Sequence, residues 1–85
     1  MDKNKIVVGI ARALPEHLEL PPEELDDCCL LGAGGLGMDS LGFLKFLTEL
    51  EKEFQIQIDD DYWDMNRLKT VGEVICYIDE KVGNA

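Results

Sequence analysis

The chain has 85 residues, which allows one small domain (residues 1–85) with a modest core. Its 46% hydrophobic content is normal for a globular protein, and its net charge of −10 predicts a strongly acidic surface. That charge disfavours nucleic acid and anionic membranes as partners and favours proteins with basic patches. Neither an apolar run of the roughly 20 residues that span a bilayer nor a signal peptide is present, so we expect a cytoplasmic protein.

The first predicted element is a helix from about Lys3 to Leu14. Its apolar face comprises Ile6, Val7, Ile10, Ala11, Ala13 and Leu14. Pro15 ends it, because the residue before a proline is pushed away from helical backbone. A long loop follows from Pro15 to Met38, with one possible helical turn at residues 22–25. The leucines expected to hold this loop on the core are Leu18, Leu20, Leu25, Leu30 and Leu31.

The second predicted helix follows a glycine-rich loop and runs from about Ser40 to Phe54. Asp39 is a good N-cap, since its carboxylate can accept hydrogen bonds from free amides of the first turn. Ser40 then occupies the first helical position, where the helix dipole favours a phosphate ester. The face predicted to be buried comprises Leu41, Leu44, Leu47, Leu50 and Phe54, widened by Phe43 and Phe46.

Two further helical segments are predicted downstream. The first is short, with three aspartates as candidate N-caps. Its residues include Asp59, Asp60 and Asp61, followed by Tyr62, Trp63, Met65 and Leu68. Thr70-Val71-Gly72-Glu73 is a capping-box pattern that opens the last helix. The apolar face of that helix comprises Val71, Val74 or Ile75, Ile78 and Val82. Three main helices and one short helix, each with an apolar face to bury, predict an all-α small four-helix bundle with a long loop between the first two helices.

Several motifs at these spacings together resemble the acyl carrier protein family. They are Asp39-Ser40-Leu41, Leu50-Glu51-Lys52-Glu53-Phe54, the pair Ile56 and Ile58, and Thr70-Val71-Gly72. The match runs from about Leu30 to Val82, and the spacing between the motifs makes it specific. The resemblance implies that Ser40, flanked by Asp39 and Leu41, carries a 4′-phosphopantetheine arm derived from coenzyme A. It also implies a carrier of acyl or polyketide thioesters, with no catalytic residues of its own, rather than an enzyme.

The resemblance implies partners as well. A phosphopantetheinyl transferase would attach the arm, and acyl-loading and acyl-processing enzymes with basic patches would meet the second helix and the short third helix. The acidic residues that would face those patches are Glu49, Glu51, Glu53, Asp59, Asp60 and Asp61. For each acid taken singly, a merely solvated acidic face is an equal alternative. A monomer is expected.

Some residues depart from the pattern of a general fatty-acid carrier. Lys45 stands where an acid is usual, while Gly42 and Thr48 replace residues that are commonly acidic and bulky aliphatic. The loop from Gly32 to Gly37 is longer and richer in glycine. These departures favour a dedicated carrier in a specialised lipid, polyketide or lipopeptide pathway. A peptidyl or aminoacyl carrier, and a carrier-like interaction module whose serine is never modified, stay open as alternatives.

The glycine loop also satisfies the dinucleotide-binding pattern G-x-G-x-x-G, from Gly32 to Gly37. That interpretation needs strands near residues 28–31 and 54–58, and further parallel strands for which the chain has no room. From Thr70 onward the pattern is helical, where that fold needs another strand. Nucleotide binding is therefore a remote alternative.

No metal site is predicted. The acidic run from Asp59 to Asp64 has an aspartate where a calcium-binding EF-hand loop needs glycine. Cys28, Cys29 and Cys76 lack the spacing of a zinc site, and their odd number does not suggest a disulfide framework. They are interpreted as small apolar residues in a reducing compartment. His17 has no partner that the sequence can establish and is assigned no role.

Overall fold

The fold is helical throughout the residues described by the computed structural model, which are 2–15, 18 and 20–83. The helices are α1 (Lys3–Ala13), α2 (Ser40–Phe54) and α3 (Val71–Gly83), with 3-10 turns at Pro22–Glu24 and Asp60–Tyr62. Within those ranges, β pairing is limited to one isolated bridge between Leu30 and Thr70. The all-α prediction is confirmed. None of the described helices is long and apolar enough to cross a membrane. His17 lies outside the described residues.

The first two helices run antiparallel and pack closely. Gly9 of α1 is buried against the ring of Phe54 at the end of α2, and a Cβ at this position would overlap that ring. At the other end, Leu14 and Pro15 line a groove together with Leu41 near the start of α2. Gly9 therefore leaves room for the Phe54 ring against α1, which a larger residue would displace.

All three helices and the connecting loops contribute to one core. Its fully buried large side chains include Ile6 and Ile10 of α1, Phe43, Phe46, Leu47 and Leu50 of α2, and Val71, Val74 and Ile78 of α3. Of the loop leucines, Leu25 and Leu31 are buried as predicted, whereas the side chain of Leu30 is 41% exposed. Leu31 is fully buried, while its neighbour Leu30, which forms the isolated bridge with Thr70, exposes its side chain.

The buried face of α2 differs from the predicted one. Leu41 is 70% exposed and Leu44 is 40% exposed, while Phe43, Phe46 and Leu50 are buried. The predicted series advanced by three residues at each step. Because an α-helix has 3.6 residues per turn, such steps drift around the axis, and Leu41 ends on the side opposite Leu50. Spacings that alternate between three and four residues, starting from Phe43, describe the buried face.

The short helix predicted after α2 is also reduced, to the single 3-10 turn at Asp60–Tyr62. Asp59 precedes this turn, but its side chain makes no capping hydrogen bond. Its carboxylate instead accepts a hydrogen bond from the Tyr77 hydroxyl and pairs with Lys81, both at 3.0 Å. At Asp64 a new turn begins, in which the backbone carbonyl accepts from the Arg67 amide at 2.9 Å. Contacts with α3 and this second turn replace a continuous helix.

Two of the three cysteines lie at the surface. Cys28 and Cys76 are exposed and Cys29 is half-buried, and all three thiols are free. Cys28 falls in a loop turn, and Cys76 lies on the outward side of α3. The burial that is usual for small apolar residues is therefore absent at Cys28 and Cys76.

Candidate functional site

Ser40 is the first residue of α2, and it is exposed. Asp39 immediately before it has extended backbone, and its Oδ1 accepts a hydrogen bond from the Gly42 amide at 2.7 Å. The backbone carbonyl of Asp39 accepts from the Phe43 amide at 2.8 Å. The prediction that Asp39 caps the helix is confirmed. This cap fixes where α2 begins and therefore where the Ser40 hydroxyl stands.

Gly42 has a role that the sequence analysis missed. It is buried, and an added Cβ would lie 3.1 Å from Asp39 Oδ1 and 3.2 Å from Met38 Cγ. Glycine thus leaves room for the capping carboxylate and for the methionine beneath it. The available signal was its position three residues after an aspartate N-cap, where the amide receives the cap.

The α2 N-terminus suits a negatively charged substituent. The first amides of a helix have no acceptor within the helix, and the helix dipole places partial positive charge there. A phosphate ester on the Ser40 hydroxyl would lie at this positive end. Asp39 occupies one of the free amides and leaves the serine oxygen exposed. The residues present therefore fit a phosphate-linked group.

The glycine-rich segment before α2 is a hydrogen-bonded loop. The amides of Leu36 and Gly37 donate to the carbonyls of Leu30 and Gly32, at 2.8 and 2.9 Å. The Met38 amide donates to the Leu31 carbonyl at 2.9 Å. The positive φ of +73° at Gly37 is of a kind that glycine adopts without strain. The loop thus holds the chain in place up to the residue before Asp39.

The strands needed by the dinucleotide interpretation are absent from the described structure. The segment before the loop contributes a single bridge residue, Leu30, and α2 is followed by Gln55 in the left-handed conformation and then by irregular backbone. The G-x-G-x-x-G pattern therefore lacks the strand–helix–strand context on which its meaning depends.

The acidic residues predicted to meet partners fall into two groups. Four have internal partners: Glu49 pairs with Lys52 at 3.6 Å, Glu51 accepts from the Ile58 amide at 2.9 Å, Glu53 pairs with Arg12 at 3.3 Å, and Asp59 pairs with Lys81 at 3.0 Å. Asp60 and Asp61 are exposed, and their side chains form no hydrogen bond or ion pair with any residue that the structure describes. Asp60 and Asp61 are therefore the most available of the six.

Asp59 belongs to a small cluster that joins the α2–α3 connection to α3. The hydrogen bond from Lys81, and next that from Tyr77, lower the pKa of the Asp59 carboxyl below its usual value. The same hydrogen bond with Asp59 raises the pKa of Lys81. Tyr77 also packs against Tyr62, with ring centroids 4.3 Å apart and the ring planes tilted by 35°. The Asp59 carboxylate therefore stabilises the fold through internal contacts, which leaves it less available to a partner protein.

Comparison with known proteins identifies the family. The family model described as "Phosphopantetheine attachment site" matches residues 33–78. An acyl carrier protein of Exiguobacterium sibiricum is 35% identical over 89 residues, covering 96% of this chain and all of the relative. The chain belongs to the acyl carrier protein family. Acyl carrier proteins of an Exiguobacterium species (34% identity, 96% of this chain and 100% of the relative) and of Phenylobacterium zucineum (31%, 92% and 95%) are also similar.

Membership of the acyl carrier protein family agrees with the geometry at the start of α2. Acyl carrier proteins are carriers rather than catalysts, and phosphopantetheine is their prosthetic group. The matched region contains the capped helix start, the glycine-rich loop from residue 33 onward and most of α3. The functional prediction from the sequence is thus confirmed at the level of an acyl carrier protein with a phosphopantetheine attachment domain.

Proposed function

We propose that the Ser40 hydroxyl carries the 4′-phosphopantetheine arm, and that the protein, a single acyl-carrier domain over residues 1–85, carries acyl or polyketide intermediates as thioesters on that arm. One observation carries the proposal: Ser40 is the only serine in the sequence, and it is exposed at the N-terminus of α2 within the matched region 33–78. Asp39 and Leu41 flank it as the family motif implies.

The other aliphatic hydroxyl groups of the matched region, those of two threonines, are less suitable. Thr48 donates its hydroxyl to the Leu44 carbonyl at 3.0 Å, and Thr70 uses its Oγ1 to accept from the Glu73 amide at 3.2 Å. The Ser40 hydroxyl, in contrast, stands at the positive end of a capped helix. In the attachment step its oxygen would bond to the phosphorus of coenzyme A nearest the pantetheine, adenosine 3′,5′-bisphosphate would leave, and the hydroxyl proton would pass to a base.

The chain itself anchors the arm and places its phosphate at the positive end of α2. When bound, the arm supplies a thiol for thioester formation, so the chain needs no nucleophile of its own. The capped start of α2 anchors the arm at one point, and tethering raises the local concentration of cargo at an enzyme that docks nearby. The Asp39 cap keeps that anchor at a fixed place in the fold.

Finer features of the function belong to the same proposal. The departures at Gly42, Lys45 and Thr48, with the long glycine loop, support a dedicated carrier in a specialised lipid, polyketide or lipopeptide pathway. The partners are a phosphopantetheinyl transferase and acyl-handling enzymes with basic patches, which the net charge of −10 and the free Asp60 and Asp61 support. The protein would act as a cytoplasmic monomer.

The test is intact mass after incubation with coenzyme A and a promiscuous phosphopantetheinyl transferase. We expect a gain of one phosphopantetheine, which Ser40→Ala abolishes. The matched control is Thr48→Ala, which removes another hydroxyl of α2 and should be modified like the wild type. Lack of any gain with several transferases would contradict the proposal and favour an interaction module whose serine stays unmodified.

A further inference from the structure

An open groove of about 860 Å³ lies between the end of α1 and the first part of α2, and it is called the α1–α2 groove here. Residues from Arg12 to Pro15 form one wall, and residues between Asp39 and Glu49 form the other. Sites for small molecules and cofactors usually have volumes of about 300–1,000 Å³, and in helix bundles they lie between helices. The α1–α2 groove therefore has the size and the place of a ligand site.

The α1–α2 groove begins at Ser40. The two chain neighbours of this serine, Asp39 and Leu41, both line it. It follows α2 as far as Glu49, which is about 12 Å from Leu41 along the helix axis. A phosphopantetheine arm has about fourteen bonds beyond the serine oxygen, and an extended chain gains about 3.5 Å for every three bonds, so the arm reaches roughly 16 Å. The arm is thus long enough to follow the whole groove, including the turn into it from Ser40.

Two leucines give the α1–α2 groove an exposed apolar side. The exposed fractions of Leu41 and Leu44 are 70% and 40%. Thr48 adds its methyl group, because its hydroxyl donates to the Leu44 carbonyl at 3.0 Å and is used within the helix. Exposed apolar surface gains free energy when another apolar group covers it. The pantetheine part of the arm carries two methyl groups close to the phosphate, where they can cover Leu41 and Leu44.

Lys45 is the charged residue of the α1–α2 groove that has no internal partner. The other charged residues of the groove are engaged: Arg12 with Glu53 at 3.3 Å, Asp39 with the Gly42 amide at 2.7 Å, and Glu49 with Lys52 at 3.6 Å. Lys45 is exposed and makes no hydrogen bond or ion pair with any described residue. An ammonium group has three donors and no acceptor, so it suits a ligand that presents oxygen atoms. The pantetheine part of the arm presents two amide carbonyls.

Attachment at Ser40 favours the arm over any other occupant of the α1–α2 groove. A group tethered beside a site is present there at an effective concentration of about a millimolar or more. Contacts too weak to hold a free molecule therefore suffice to hold the arm. A free ligand, or a segment of another protein, lacks this advantage.

We propose that the α1–α2 groove is the resting site of the arm before it receives its cargo. In this arrangement Leu41 and Leu44 cover the two methyl groups of the pantetheine part, and the Lys45 ammonium donates to one of its amide carbonyls. Lys45 is then a positioning residue for the arm. The inference rests on the proposed function of Ser40, and it brings the thiol end of the arm to the region of Arg12 and Thr48.

Paramagnetic relaxation in NMR spectra tests the inference directly. The probe is coenzyme A with a nitroxide joined to its sulfur, which a promiscuous phosphopantetheinyl transferase transfers to Ser40. The label then lies at the end of the arm, and no cysteine of the chain is modified. We expect the amide signals of Ala13, Lys45 and Thr48 to be lost, and to return when ascorbate reduces the nitroxide.

Control amides on other sides of Ser40 distinguish a resting arm from a freely moving one. Gly35 belongs to the loop that leads to Ser40, and Gly72 belongs to the start of α3. Both segments are joined near Ser40, since Leu31 bonds to Met38 and to Lys69. A freely moving arm would weaken the signals of Gly35 and Gly72 as much as those of the groove. We expect these two signals to be kept.

Two pairs of labelled variants identify the contacts. Lys45→Met removes the ammonium and Leu41→Asn removes an apolar contact, so each should restore a large part of the lost Ala13 signal. The matched controls on α1 are Lys5→Met and Val8→Asn, because Lys5 is exposed without an ion pair in the described structure and Val8 is 36% exposed. These controls should leave the Ala13 signal lost, and circular dichroism establishes that each variant is folded. Unchanged loss in both Lys45→Met and Leu41→Asn would overturn the assigned contacts.

The two proposals fail in different ways. If intact mass shows that no arm is transferred to Ser40, the proposed function fails and the inference falls with it. If the arm is attached but Gly35 and Gly72 lose their signals as fully as Ala13, Lys45 and Thr48, the α1–α2 groove is not the resting site, while the function of Ser40 stands.

Discussion

The two faces of α2 differ in how far they bury large apolar side chains. On the inner face Phe43, Phe46 and Leu47 are at most 1% exposed, whereas Leu41 on the outer face is 70% exposed. The outer face also carries two leucines, Leu41 and Leu44, so hydrophobicity alone does not decide which side chains of α2 are buried. The difference teaches that the burial of an apolar residue in α2 is decided by its direction around the helix axis relative to the core, and not by its hydrophobicity.

The largest expected effect comes from breaking the inner face. Phe46→Ala removes a fully buried ring and should lower the free energy of unfolding by about 3–5 kcal/mol, a large part of the usual stability of a small domain. Urea denaturation measures it. Leu41→Ala is the control and should change stability by less than about 0.5 kcal/mol. Equal losses for the two variants would contradict the assignment of the faces.

A smaller effect is expected at the start of the helix, where the two faces begin. Asp39→Ala removes the acceptor of the Gly42 amide and should lower the free energy of unfolding by about 0.5–2 kcal/mol. Asp39→Asn keeps a capping oxygen and should recover most of that loss. Amide hydrogen exchange should locate the loosening in the first turn of α2. Uniform loosening of all three helices would argue against a local cap.

Acid should weaken the connection that follows α2. The pKa of Asp59 is lowered mainly by Lys81 and then by Tyr77, so the folded state binds this proton less readily than the unfolded chain. The resulting stabilisation is present above the unfolded pKa of about 3.9 and is lost as pH falls through the lower folded value. Wild type should therefore exceed Asp59→Asn in unfolding free energy at pH 6, and the gap should close below about pH 4.

Urea denaturation at a series of pH values measures this gap. Asp60→Asn is the matched control, because Asp60 is exposed next to Asp59 but does not join Lys81 or Tyr77. The pKa of Lys81 is raised by Asp59, so the contribution of Lys81 is present at neutral pH and is lost as pH rises through its folded pKa. A gap that stays constant with pH would contradict the role of the ion pair.

The smallest effect on stability is expected on the outer face. Lys45→Glu should change the free energy of unfolding by less than about 0.5 kcal/mol, since Lys45 has no partner among the described residues. Urea denaturation of Lys45→Glu beside the wild type measures the change. A large loss of stability would mean that Lys45 serves the fold, and it would remove the contrast between the faces.

Much of the helical framework could be predicted from local signals. The bounds of α2 followed from the Asp39 cap and the apolar run to Phe54, and the start of α3 from the Thr70 cap, whose Oγ1 accepts from the Glu73 amide at 3.2 Å. The position of Ser40 at the first residue of α2 followed from the same signals. Caps are visible in sequence because both partners lie within a few residues.

The predictions were wrong where contacts between distant parts of the chain determine the local structure. Asp59 looks like an N-cap, but it binds Tyr77 and Lys81, eighteen and more residues away, and no local pattern reveals them. To predict the exposure of Leu44, one must know which side of α2 faces the core, and that depends on how α1 and α3 pack on α2. In the same way, the groove that Lys45 lines between α1 and α2 could not be predicted, because it depends on how the two helices pack.

The backbone hydrogen bonds between the segment before the glycine-rich loop and the start of α3 have a topological consequence. The amides of Val71 and Gly72 donate to the carbonyls of Cys29 and Asp27, each at 2.9 Å, and the Leu31 amide donates to the Lys69 carbonyl at 2.8 Å. These bonds close a ring of chain that contains all of α2. Closing so long a ring carries an entropic cost, and such non-local closure slows folding. A peptide cut to α2 alone would keep Ser40 but lose this ring, and with it the hydrogen bonds that fix the residues before the helix to the start of α3.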